Sequence, residues 1–447
     1  MRRPARTDRI VSVWLVVALG VMAVGLAARG VLPQPLWTMV HVVTLGVLTN
    51  GILQWSWYFA RALLHLPAGD RRAGRDHVIR DVAFNVSLVG LVAAMWTATT
   101  WGTVAGAGAI GVVIAWHGLA LLRAARTRLA SRFAVVIRYY VVAAGFLVVG
   151  CVLAGFLTVA MFSAGAPTWL LAARDDVTLA HAVVNLGGWI GLSMAGTLVT
   201  LGPTMLRTRM DPAAVEHAIA ALPWLTAGIV VAAGSALAGF VPGVGIGLLA
   251  FAAALVPGVG LPLVRAAVAR SPRGYATWTA SAGLAWVVVT VAAMALHAFA
   301  APDATALREA NLPWLALLGA GGLAQVFVGA LAYLMPVVVG GGPGPLRVGM
   351  AVLEAGAPLR AAVRNTALIL LAVAAATTDD GTAPQTAWWV LVLLVYAADV
   401  ALFAVAGARQ ARARRTAGGA DLPARGADEP HLTPADAATP SSGDVDD

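Results

Sequence analysis

Twelve stretches of mostly apolar residues divide this chain, and no other feature limits its fold as strongly. They fall at 10–32, 36–62, 82–101, 103–123, 136–163, 177–203, 218–240, 244–266, 276–299, 312–338, 361–377 and 386–408. A backbone in hydrocarbon must satisfy its own N–H and C=O groups, and about 20 helical residues cross a bilayer. The expected fold class is therefore an all-α integral membrane protein of about twelve transmembrane helices. Composition agrees: 60% of residues are hydrophobic and 11% are charged, against roughly 25% charged in soluble domains. The main partner is then the lipid bilayer, and a net charge of +9 needs no nucleic acid to explain it. A single cysteine, Cys151, lies mid-segment, which excludes a disulfide framework and a Cys-based metal motif.

The N-terminal Arg2, Arg3, Arg6 and Arg9 give the start of the chain the look of a signal peptide. The apolar run from Ile10 to Leu32 is too long for one and reads as the first span. Loop charge then alternates. Arginines gather at 1–9, at 61–80 (Arg61, Arg71, Arg72, Arg75, Arg80), at 123–138, at Arg207 and Arg209, at 265–273, at 347–364, and after Arg409. The intervening loops are acidic or nearly free of Arg, as at Asp175-Asp176, Asp303 to Glu309 and Asp379-Asp380. By the positive-inside rule both termini lie in the cytoplasm, with the chain in the plasma membrane. Trp37, Trp101, Trp169, Trp314, Trp388 and Trp389 fall at the outer ends, as an aromatic belt does. Residues 1–410 form one transmembrane domain. Residues 411–447, rich in Ala, Pro, Asp, Ser and Thr, read as a disordered cytoplasmic tail.

Three histidines, His41, His181 and His297, fall near the same outer face on three different helices. Imidazoles are costly in lipid and mark functional sites there. Grouped at one depth, they suggest ligands for heme or a metal. Met294 lies one turn below His297, while Asn185 and Gly188 extend the His181 face inward. A glycine on that face would let a macrocycle or a neighbouring backbone come close. Snorkelling to the interface or capping a loop is the competing role for each histidine. His65, His77 and His217 belong to the cytoplasmic side and should be solvated, His117 should be structural, and His431 lies in the tail. Asp399 is read as the one well-embedded carboxylate, either a proton relay or a hydrogen-bond partner of a neighbouring helix.

Short matches point to internal repetition. Gly196-Thr-Leu-Val-Thr-Leu-Gly-Pro203 parallels Gly329-Ala-Leu-Ala-Tyr-Leu-Met-Pro336, and His41-Val-Val-Thr-Leu-Gly46 parallels the run from His181 to Gly187. These segments are four spans apart and run the same way, which implies three four-helix units in a pseudo-threefold arrangement. The glycines between Gly243 and Gly260 follow no strand, so they read as close helix packing with a kink at Pro257.

Twelve spans in three such units, with histidines on the second and sixth near the outer face, resemble the catalytic subunit of heme-copper oxidases and nitric oxide reductases. The residues carrying the likeness are His41 to Trp55 and His181 to Met210. It is closer to the divergent NnrS-like membrane proteins, and closest to actinobacterial membrane domains described as copper oxidases. The sixth span lacks a His-Pro-Glu-Val-Tyr stretch, the seventh a His-His pair and the tenth any histidine, so a full oxygen-reducing centre is not expected. What the resemblance implies is heme b, or else copper, bound near the outer face in an oxidoreductase-type protein. Nitrogen-oxide or copper handling and an external cupredoxin-type redox partner follow from the same likeness. Two other readings stand beside it. One is a small-molecule transporter using Asn50, Gln325 and Asp399; the other is a non-catalytic subunit that docks an external copper oxidase.

Overall fold

The computed structural model describes residues 7–67, 70–126, 134–269, 274–377 and 383–420. Among them there is no strand, and twelve helices are long and apolar enough to cross a membrane. They are α1 (Ile10–Ala27), α2 (Pro35–Leu63), α3 (Arg75–Trp96), α4 (Thr100–Arg126), α5 (Ala134–Phe162) and α6 (Arg174–Met205), then α7 (Ala214–Leu237), α8 (Val241–Ala269), α9 (Tyr275–Ala300), α10 (Ala304–Val339), α11 (Ala357–Thr377) and α12 (Gln385–Thr416).

The boundaries depart from expectation where charge enters a helix. α3 starts at Arg75 rather than 82, so His77, Arg80 and Asp81 lie on the helix and are buried. α11 likewise starts at Ala357 rather than 361 and takes in the buried Arg360. Hydropathy rejects such residues, whereas the fold buries them against polar and aromatic partners. α10 begins at Ala304 because Asp303 caps it, its Oδ1 accepting from the Ala306 amide at 2.8 Å, an ordinary N-cap. The last helix continues to Ala420, past the expected end of the transmembrane domain. The rest of the tail, with His431, lies outside the described residues.

Each helix packs against its successor, and α12 packs back against α1, so the twelve close into a ring. Inside it α2, α6 and α10 meet: the Trp189 indole of α6 donates to Thr49 Oγ1 of α2 at 2.9 Å, and Phe327 of α10 lies against Gly51 of α2. The same three helices each carry a π-helical turn, at Val42–Thr49, Val184–Gly191 and Leu318–Leu323. Such turns add a residue to the helix and recur at functional sites.

A glycine in each turn receives an aromatic residue from the helix before it. A Cβ on Gly46 would come within 2.5 Å of the Trp14 ring of α1, one on Gly188 within 2.5 Å of Phe146 of α5, and one on Gly321 within 3.0 Å of Trp286 of α9. This register repeats helices 1 and 2 as 5 and 6 and again as 9 and 10. It keeps Gly196 opposite Gly329 and Pro203 opposite Pro336. It does not keep His41 opposite His181: His41 lies one residue before its π turn and His181 three before. Trp314, not a histidine, occupies the His181 position on α10. A further π turn, Val256–Gly260, contains Pro257, where the glycine-rich stretch of α8 packs on α7.

Candidate functional site

His41 ends the first α-helical part of α2. Its Nδ1 is 2.8 Å from the Trp37 carbonyl one turn earlier. His181 on α6 places Nδ1 3.0 Å from the Gly150 carbonyl of α5. A carbonyl only accepts, so each Nδ1 carries the hydrogen and each Nε2 keeps its lone pair. The two rings lie side by side, with centroids 6.2 Å apart and planes 30° from parallel. Trp37 stacks on His41 at 4.3 Å. Both imidazoles are thus held through Nδ1 by a backbone carbonyl, an orientation that suits a ligand, and Asn185 Nδ2 lies 3.3 Å from His181 Nε2.

Gly188, expected to let a macrocycle or a neighbouring backbone come close, receives Phe146 of α5, whose Cβ would lie 2.5 Å from a Cβ there. Asn185 turns its amide to its own helix, Nδ2 donating to the His181 carbonyl at 2.8 Å, and its side chain fills the space that a Cβ on Gly150 would take.

His297 is engaged elsewhere. Its Nδ1 donates to Asn311 Oδ1 at 2.9 Å, and its ring meets Trp314 edge-on at 6.0 Å. Asn311 also donates to the Met294 carbonyl at 3.4 Å, so Met294 offers this cluster its backbone. Among the described residues no three His, Cys, Asp or Glu side chains gather into a group able to hold a metal. The structure thus pairs two of the three histidines and sets the third against a tryptophan.

Other polar residues are committed to packing. Asn50 Nδ2 donates to Asn85 Oδ1 at 3.2 Å, Asn85 returns a bond to Asn50 Oδ1 at 2.8 Å, and Trp14 Nε1 donates to Asn85 Oδ1 at 2.7 Å. Gln325, Asn365 and Trp286 repeat the arrangement on α10, α11 and α9. Asp399 accepts from the Tyr275 hydroxyl at 2.6 Å, from Arg364 Nη1 at 2.8 Å, and from Arg360. It is an ion-paired link between helices, and it is not the one embedded carboxylate, since Asp81 is 5% exposed. His77 is buried rather than solvated, with Nε2 3.4 Å from Asp81 Oδ2. His117 bonds Ser56 Oγ through Nε2 at 2.9 Å, as a structural histidine does.

A cavity of about 10 Å³, lined by Leu198, Val199, Pro203, Pro262 and Leu263 among others, has no polar surface. It is about the size of one water and offers nothing to hold one. The sequence missed Trp37 and the Gly150 carbonyl. Trp37 was legible as an aromatic one turn before His41, whereas a backbone carbonyl on another helix leaves no sequence signal. The chain matches no protein-family model and no curated protein.

Proposed function

We propose that this chain is a multi-pass membrane protein that binds a redox metal through His41 and His181 near the Arg-poor ends of α2 and α6. The observation that carries this reading is the pair itself: two imidazoles 6.2 Å apart, each tethered at Nδ1 to a carbonyl. Neutral imidazole suits both copper and heme iron. The close packing of Phe146 on Gly188 favours copper, while heme b requires the surrounding side chains to move. The loop charges put this site on the outer side of the plasma membrane with both termini cytoplasmic. There an external cupredoxin-type protein could exchange electrons with it. The engagement of Asn50, Gln325 and Asp399 in helix-to-helix bonds weakens the transporter reading built on them.

The test is an optical spectrum of the purified protein before and after dithionite, with elemental analysis for copper and iron. The expected result is one metal per chain, lost in His41→Ala and in His181→Ala. Absence of both a Soret band and stoichiometric copper would overturn the reading.

A further inference from the structure

At the Arg-rich end of the same ring, about 22 Å along α2 from His41, a second polar cluster has no use in the metal-site reading. Arg80 of α3 is 1% exposed. Its guanidinium lies 5.1 Å from the centre of the Trp57 ring and 5.3 Å from that of Trp116. Its one hydrogen bond runs from Nη2 to the Arg72 carbonyl at 2.8 Å. Nε and Nη1 are buried without an acceptor, and so is Trp57 Nε1. Among the described residues no carboxylate oxygen lies within 4.0 Å of the guanidinium. A buried cation is ordinarily paired, and leaving it unpaired is strongly unfavourable.

The internal repeat shows what this position holds elsewhere. Arg80 precedes Asn85 by five residues, as Arg360 precedes Asn365, and the two asparagines occupy matching Trp–amide–Asn clusters. Arg360 has a carboxylate, Asp399 from α12. In the copy formed by α1 to α4 the fourth helix brings His117 to this cluster, its ring edge-on to Trp57 at 6.3 Å, and no carboxylate. The arginine has been kept and its fixed counter-charge has not.

We propose that the cluster of Arg80, Trp57 and His117 binds an exchangeable monovalent anion of chloride size in place of the missing carboxylate. Arg and Trp can only donate hydrogen bonds, so the three orphaned nitrogens call for an acceptor. His117 Nδ1 is also buried and unpartnered, and it donates in the neutral tautomer whose Nε2 accepts from Ser56 Oγ. The acidic groups nearby are Asp76 and Asp81. Asp81 turns Oδ2 to His77, and its buried Oδ1 is unpartnered, so a shared proton or water between it and the anion completes the cluster.

The experiment follows thermal unfolding of the purified full chain in detergent with sodium chloride or bromide against sodium gluconate at equal ionic strength. A ligand that binds only the folded state raises the midpoint. The midpoint should be higher in both halides, and the difference should vanish in Arg80→Gln and in His117→Asp, which brings a fixed carboxylate into the cluster. A crystal grown in bromide should show anomalous density within hydrogen-bond reach of Arg80. If Arg80→Gln does not fold, His117→Asp decides alone. Equal midpoints in chloride and gluconate, meaning water alone fills the cluster, would overturn the proposal, as would a halide effect that persists in His117→Asp.

Discussion

Trp286 donates its indole hydrogen to Asn365 Oδ1 at 3.0 Å, and Gln325 completes the cluster at 3.1 Å. The cluster formed by Trp14, Asn50 and Asn85 repeats this in the first four helices, whereas the middle copy has Phe146 and the fully buried Leu192 at the same register. One fold thus holds a polar and an apolar solution to the same contact. Asn365→Ala should destabilise by about 1–3 kcal/mol, because it leaves the Trp286 donor and the Gln325 amide without their partner. The combined change Trp286→Phe and Asn365→Leu should come close to neutral, because Gln325 keeps its bonds to the Gly321 carbonyl and to Arg364 Nε. Chemical unfolding in detergent measures both, and equal losses would mean that the polar bonds are not what matters here.

Asp399 serves two arginines at once. Asp399→Asn leaves both cations buried without a carboxylate and should cost about 3–5 kcal/mol, enough to lower the folded yield. Arg364→Met keeps the Arg360–Asp399 pair and should cost less. Yield of monodisperse protein after gel filtration ranks the two, and the reverse ranking would show that the ion pairs are not what holds α11 to α12.

Acid should loosen the connection between α2 and α3. Arg72 bonds both oxygens of Asp70 through its side chain, and this holds the Asp70 carboxyl below its usual range. A lowered folded-state value means the stabilisation is present above the unfolded value, near pH 4. It is lost as pH falls through the folded value. The pair is half-buried in a surface loop and partly screened by solvent, so the effect is local and small. Proteolysis of this loop by an acid protease should accelerate as pH drops below about 4, and Asp70→Asn should flatten that dependence.

The helix count was legible because a span must be continuously apolar, and the place of His41 and His181 near one end of their helices followed from where those spans begin. Their pairing was half legible. Sequence matching aligned His41 with His181, yet π turns of different placement shift them by two residues, and periodicity cannot register an inserted residue. Arg80, Arg360 and Arg364 were hidden for a different reason. A buried arginine near a helix end reads as one more loop charge until its Trp, Tyr or Asp partner from another helix is known.

Gly188 tests how closely α5 and α6 must approach. A Cβ there would lie 2.5 Å from the Phe146 Cβ, which no rotamer change relieves. Gly188→Ala should therefore destabilise by about 1–3 kcal/mol, as overpacking does. It should also disturb metal binding, because α5 carries the Gly150 carbonyl that orients His181. Gly165→Ala, where a Cβ meets nothing within 4 Å, is the control and should be silent. Thermal unfolding and metal stoichiometry read the two effects separately.

His297→Ala separates the two-histidine site from the three-histidine one. His297 is bonded to Asn311 and packed on Trp314. Its removal leaves Asn311 Oδ1 unpaired and should cost about 1–3 kcal/mol of stability, with metal content unchanged. His41→Ala and His181→Ala should do the opposite, emptying the site while each removes only one exchangeable carbonyl bond from the packing. Metal content and unfolding midpoint measured on all three variants distinguish these outcomes. Loss of metal in His297→Ala at full folded yield would place that imidazole in the coordination sphere and require α9 to move toward α2 and α6 when metal binds.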